Sequence, residues 1–68
     1  MIVELNGRPT EVPDAATVET VVSRLDVEAA RRGVAVAVDA EVVPRSEWAR
    51  WRLSDGARVE VLTAMQGG

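Results

Sequence analysis

Cysteine, histidine, lysine and tyrosine are all missing from this 68-residue sequence. Without cysteine there is no disulfide, no thiolate zinc site and no cysteine nucleophile, a pattern that fits a reducing compartment. Without histidine or lysine nothing is present to activate a serine or threonine hydroxyl, so acid–base work is left to carboxylates. These absences argue against a self-sufficient enzyme. All eight basic residues are arginines, so the sequence offers no side-chain amine for isopeptide modification. Aromatics are scarce, no basic stripe is visible and the net charge is −3, which disfavours nucleic-acid binding. No apolar run is long enough to span a membrane and no signal-peptide pattern opens the sequence. A soluble, cytoplasmic protein is expected. The acids Glu4, Glu11 and Glu41 show no metal-ligand spacing, and no metal site is expected.

What remains suits one domain with a small core. Met1, Val3 and Leu5 alternate with Ile2, Glu4 and Asn6, the period-2 pattern of a strand. Asn6-Gly7 predicts a hairpin turn with positive φ at both central residues. Arg8 to Val12 is the returning strand, and Pro9 places it where one side is not fully paired. Thr17 suits a helix N-cap, with Glu19 in the first turn. Val18, Val21, Val22 and Leu25 then form one apolar stripe. Asp26 to Arg32 reads as an irregular or helical turn stopped by Gly33. Val34 to Val38 is almost wholly apolar and belongs in a sheet interior. Asp39-Ala40 is a less typical tight turn before the short strand Glu41-Val42-Val43, which Pro44 ends. Ser46 is expected to cap a helical turn with Glu47, Trp48 and Ala49. Asp55-Gly56 is a further turn, and Ala57 to Ala64 is the last strand.

Two strands, a helix and further strands make an α+β domain. If the first and last strands lie side by side at the centre, they are parallel, with the helix across one face. That arrangement is the β-grasp, or ubiquitin-like, fold: a mixed sheet of four to five strands with one main helix. The expected organisation is a β-grasp domain over residues 1–64 and a flexible tail over residues 65–68.

That tail, Met65-Gln66-Gly67-Gly68, is the candidate working part. Glycines have no Cβ, so the end can thread a narrow channel and bring its terminal carboxylate to another protein's active site. Attack of a carboxylate oxygen on the α-phosphate of ATP makes an acyl-adenylate, from which sulfur or an amine displaces AMP. This needs Mg²⁺ and positive charge around the phosphates. The sequence has no glycine-rich phosphate loop and no lysine, so a partner enzyme must supply them. Leu62 lies near the tail on the face opposite Val59 and Val61. It is a candidate docking residue, with Arg58 and Glu60 as its polar rim; an ordinary exposed leucine is the competing reading. Trp48 is expected to fill space under the short helical turn, and Trp51 has no assigned role beyond packing. Arg45, Glu47 and Arg50 read as a solvated face.

The run Val42-Val43-Pro44-Arg45-Ser46-Glu47-Trp48, then Asp55-Gly56 and the terminal Gly67-Gly68, resembles the ThiS family, the sulfur carrier proteins of thiamine biosynthesis. The likeness extends to the front half, where a strand ends in Asn6-Gly7 and Thr17-Val18 opens a helix. It implies that Gly68 is adenylated by an E1-like, ThiF-like enzyme using ATP and Mg²⁺, with no cofactor bound by the chain itself. It implies conversion to a thiocarboxylate with sulfur from a donor such as a cysteine desulfurase. The thiocarboxylate then donates that sulfur to a ThiG-like thiazole synthase. Other readings stay open: a molybdopterin-synthase small subunit, a sulfur carrier of another pathway, a ubiquitin-like modifier, or an interaction module that carries no sulfur.

Overall fold

The computed structural model describes residues 1–25 and 33–63. Among them the elements run β1 (Ile2–Leu5), β2 (Arg8–Glu11), α1 (Val18–Leu25), β3 (Val34–Val38), β4 (Glu41–Val43), a 3-10 turn (Arg45–Glu47) and β5 (Arg58–Thr63). The strands form one mixed sheet in the order β2-β1-β5-β3-β4. β1 and β5 are parallel neighbours at its centre, with Glu4 opposite Arg58 and Leu5 opposite Val59. The other adjacent pairs are antiparallel. This is the β-grasp arrangement expected from the sequence. β3 lies between β5 and β4, and β2, which carries Pro9, is an edge strand where a missing N–H is tolerated.

The turns follow from local chemistry. Leu5 faces Arg8 across the first hairpin, and Asn6 and Gly7 between them have φ of 50° and 84°. Both are positive, as the type I′ turn requires. Asp39 and Ala40 repeat the geometry at 50° and 69°, although neither is glycine. A side chain in this left-handed region costs roughly 1–2 kcal/mol per residue.

One face of the sheet is covered. Val3 and Leu5 of β1, Val36 and Val38 of β3, and Val59 and Val61 of β5 point into the core. Val18, Val21 and Val22 of α1 are buried in the same cluster. Valines form helices poorly, so this burial is what holds α1 in place. Leu25 departs from the expected stripe and is 44% exposed. Periodicity assigns a side of the helix; burial also needs atoms packed against that side, and at the last described turn these are few.

The start of α1 is tightly satisfied. Val18 and Glu19 donate their N–H groups to the carbonyls of Trp51 and Trp48, at 3.0 and 3.1 Å. The Thr20 N–H reaches Thr17 Oγ1 at 3.3 Å, and the Thr17 N–H reaches Thr20 Oγ1 at 3.2 Å. Thr17 is thus the N-cap, in a reciprocal box closed by threonine where Glu or Gln is usual.

Ser46 is not a cap. The 3-10 turn starts from Pro44, at φ −61° and ψ 148°, and no side chain caps it. Proline's fixed φ sets the chain direction before Ser46 is reached, and Glu47 donates its N–H to the Pro44 carbonyl at 2.8 Å. Trp48 is buried, and its Nε1–H donates to the Val43 carbonyl at 3.0 Å, so it fills space as expected with its polar atom satisfied. The irregular turn expected over Asp26 to Arg32 and the final strand residue Ala64 lie outside the described residues.

Candidate functional site

β5 sorts its side chains by alternation. Val59 and Val61 face the core, whereas Arg58, Glu60 and Leu62 are exposed on the opposite face. Leu62 is 68% exposed, an unfavourable position for a leucine unless something covers it. Arg58 pairs with Glu4 on the adjacent β1 at 3.8 Å, both side chains being partly in solvent; such a pair contributes at most about 1 kcal/mol. The structure therefore brings Arg58, Glu60 and Leu62 onto one open face. The other predicted site residues, Met65, Gln66, Gly67 and Gly68, lie outside the described residues.

Strand register shows what surrounds Leu62. Ala35 of β3 is its direct neighbour, Ala37 is opposite Glu60, and Val42 of β4 is opposite Ala37. Val42 is 72% exposed. Leu62, Ala35, Ala37 and Val42 thus make a low apolar strip across three strands on the uncovered side of the sheet. Sequence reasoning placed Val42 in a short strand and gave it no role. Two adjacent valines carry no sign of which one faces out, and only the pairing of Val43 with Val36 and of Val42 with Ala37 decides it.

β5 is secured at both ends by side chains from hairpin turns. At its start, the Arg58 N–H donates to Asp39 Oδ1 at 3.0 Å. Near its end, the Val61 N–H donates to Asn6 Oδ1 at 2.8 Å, and Asn6 Nδ2 donates to the Val61 carbonyl at 3.3 Å. Neither residue was singled out beyond its turn, because a turn motif specifies backbone shape and not the neighbour its side chain meets.

On the other side of the molecule, the Arg45 guanidinium sits over the Trp48 ring, 5.0 Å from its centroid, and Arg50 pairs with Glu47. Among the described residues, no three His, Cys, Asp or Glu side chains gather as a metal site, and no helix is long and apolar enough to cross a membrane. What this arrangement presents is an exposed apolar strip with charged neighbours beside the last strand.

Comparison with known proteins gives a consistent result. The model of the ThiS family matches residues 2–68. Among solved structures, the crystal structure of a thiamine biosynthesis protein (ThiS) from Geobacter metallireducens superposes with a TM-score of 0.81 at 33% identity, covering 100% of both chains. No curated protein matches the chain.

Proposed function

The chain belongs to the ThiS family, and from that premise we propose that it is a sulfur carrier protein of thiamine biosynthesis whose working group is the Gly68 carboxylate. The observation that carries this reading is the extent of the family match, which runs through Gly67-Gly68 to residue 68. In this reading residues 1–64 are the recognition domain and residues 65–68 the tail that enters the partner. The protein is a co-substrate in the cytoplasm and holds no cofactor of its own.

The reaction has three stages. A ThiF-like enzyme binds ATP and Mg²⁺, and a Gly68 carboxylate oxygen attacks the α-phosphorus with loss of pyrophosphate. The mixed anhydride makes the acyl carbon electrophilic, which the free carboxylate is not. The persulfide sulfur of a donor such as a cysteine desulfurase displaces AMP to give an acyl disulfide. A thiol reductant then cleaves the S–S bond, leaving a disulfide between donor and reductant and the thiocarboxylate on Gly68. That group is a sulfur nucleophile at neutral pH and stays tethered to its carrier until a ThiG-like thiazole synthase consumes it. The open sheet face supplies recognition: Leu62 with Ala35, Ala37 and Val42 forms the apolar contact, and Arg58 and Glu60 form its polar rim.

Intact mass tests the proposal. The purified protein is weighed before and after incubation with ATP, Mg²⁺, a ThiF-like enzyme, a sulfur donor and a thiol reductant. Replacement of one oxygen by sulfur, mapped to Gly68 and absent without ATP, is the expected result. An unchanged mass, with the enzyme active on another carrier, counts against it.

A further inference from the structure

The two neighbours of β5 stop at different places. β3 stays in register with it as far as the pair Val34–Thr63. β1 ends sooner: the Asn6 N–H donates to the Val59 carbonyl at 2.9 Å, and the chain then turns away through Gly7. The backbone groups of Val61 face the space left behind, and the Asn6 side chain occupies it. Its Oδ1 accepts the Val61 N–H and its Nδ2 donates to the Val61 carbonyl. One side chain imitates one further residue of strand, joining positions 55 apart in sequence. Asn6 sits at the first turn position with φ 50°, a conformation asparagine tolerates better than most residues.

We propose that Asn6 is a positioning residue for the tail: by clamping Val61 it steadies the β1-side edge of β5 close to the strand's last residue, and so helps present the Gly68 carboxylate to the partner's ATP. This inference rests on the carrier reading above. Val61 is followed directly by Leu62, the exposed residue of the open face, so the clamp also sets where that face gives way to the tail. Docking itself is held from the other side, since Leu62 is paired with Ala35 of β3. Releasing the clamp therefore leaves docking and the β3 pairs as far as Thr63 in place and loosens the β1-side edge of β5 at Val61, so that carboxylate and phosphorus meet in productive alignment less often.

The test compares wild type, Asn6→Gly and Asn6→Asp as substrates of a ThiF-like enzyme with ATP and Mg²⁺, at a temperature where all are folded by circular dichroism. Asn6→Gly keeps a turn-compatible backbone and removes both side-chain bonds; Asn6→Asp keeps the acceptor and loses the donor. For Asn6→Gly, kcat for adenylate formation is expected to fall about three- to tenfold, the scale set by losing such hydrogen bonds, with KM within about twofold. Asn6→Asp is expected to fall between it and wild type. Hydrogen exchange at the Val61 amide should accelerate about tenfold in Asn6→Gly while β3 amides remain protected. A merely structural role gives a different split: the carrier is the substrate, so loss of folded protein raises apparent KM and leaves kcat alone. Thr17→Ala, which removes the helix cap, is the control for general destabilisation. An unchanged kcat in Asn6→Gly, or an equal fall in Thr17→Ala, overturns the proposal while adenylation of wild type upholds the carrier reading. Absence of adenylation in wild type, with the enzyme active on another carrier, overturns both.

Discussion

Asp39 holds Arg58 at both of its backbone polar groups: the Asp39 N–H donates to the Arg58 carbonyl at 2.8 Å, and the Asp39 carboxylate accepts the Arg58 N–H at 3.0 Å. Asn6 does the corresponding work on Val61 from the other hairpin. Each is the first central residue of a two-residue turn, each has φ 50°, and together they fasten β5 near its two ends. The hydrogen bonds of Asp39 offset the conformational strain of its turn, in which Ala40 also occupies the left-handed region at 69°.

Ala40 makes no comparable bond to offset that strain. Replacing it with glycine removes the clash of its Cβ with the backbone. Ala40→Gly is expected to stabilise the domain by about 1 kcal/mol, read as a higher urea midpoint at unchanged m-value. A lower midpoint would show that the left-handed conformation at this position is not strained.

Val22 is 2% exposed and faces the sheet from α1. Val22→Asp places an ionised carboxylate there without a partner, and a loss exceeding about 4 kcal/mol is expected. In a domain of this size that removes cooperative folding, seen by circular dichroism. A cooperative melt near the wild-type temperature would contradict the buried face assigned to α1.

Leu62 tests the open face. Leu62→Glu removes an apolar contact worth about 1.5–3 kcal/mol when covered, so KM for the adenylating enzyme should rise at least about tenfold. Stability should change by no more than about 0.5 kcal/mol, as at other exposed sites. Val42→Glu, two strands away, should raise KM in the same sense if the partner covers the whole strip. Unchanged kinetics in both variants would remove this face from the interface.

Gly67 and Gly68 test the tail. Deleting Gly68, or replacing Gly67 with a bulky residue such as leucine, should abolish thiocarboxylate formation by intact mass. The melting curve should remain that of wild type within about 0.5 kcal/mol. A large loss of stability would mean that these residues serve the folded domain instead.

Much of the fold was legible in the sequence because it depends on neighbours along the chain. Val3 and Leu5 alternate with polar residues, Val18, Val21 and Val22 share a helical side, and Asn6-Gly7 specifies its turn. Thr17 was readable as a cap because capping is completed within one turn of helix. Ser46 was misread for a related reason: its identity suits a cap, but Pro44 had already set the chain direction. For the candidate site, Leu62, Glu60 and Arg58 were readable as one face from alternation alone, and the glycine end from composition.

The sequence by itself determined the strands, the turns, the helix face and the chemistry it lacks, since each rests on residue type and on spacings of a few residues. Tertiary structure alone decided that Val42 joins Leu62 in one apolar strip, that Leu25 is left half in solvent, and that Trp48 hands its N–H to Val43. It also decided the second task of Asn6 and Asp39. Pairing β1 with β5 brings positions 55 apart within 3 Å, and no local pattern encodes what a side chain meets across such a separation. The partner is fixed only when the whole sheet closes over its core.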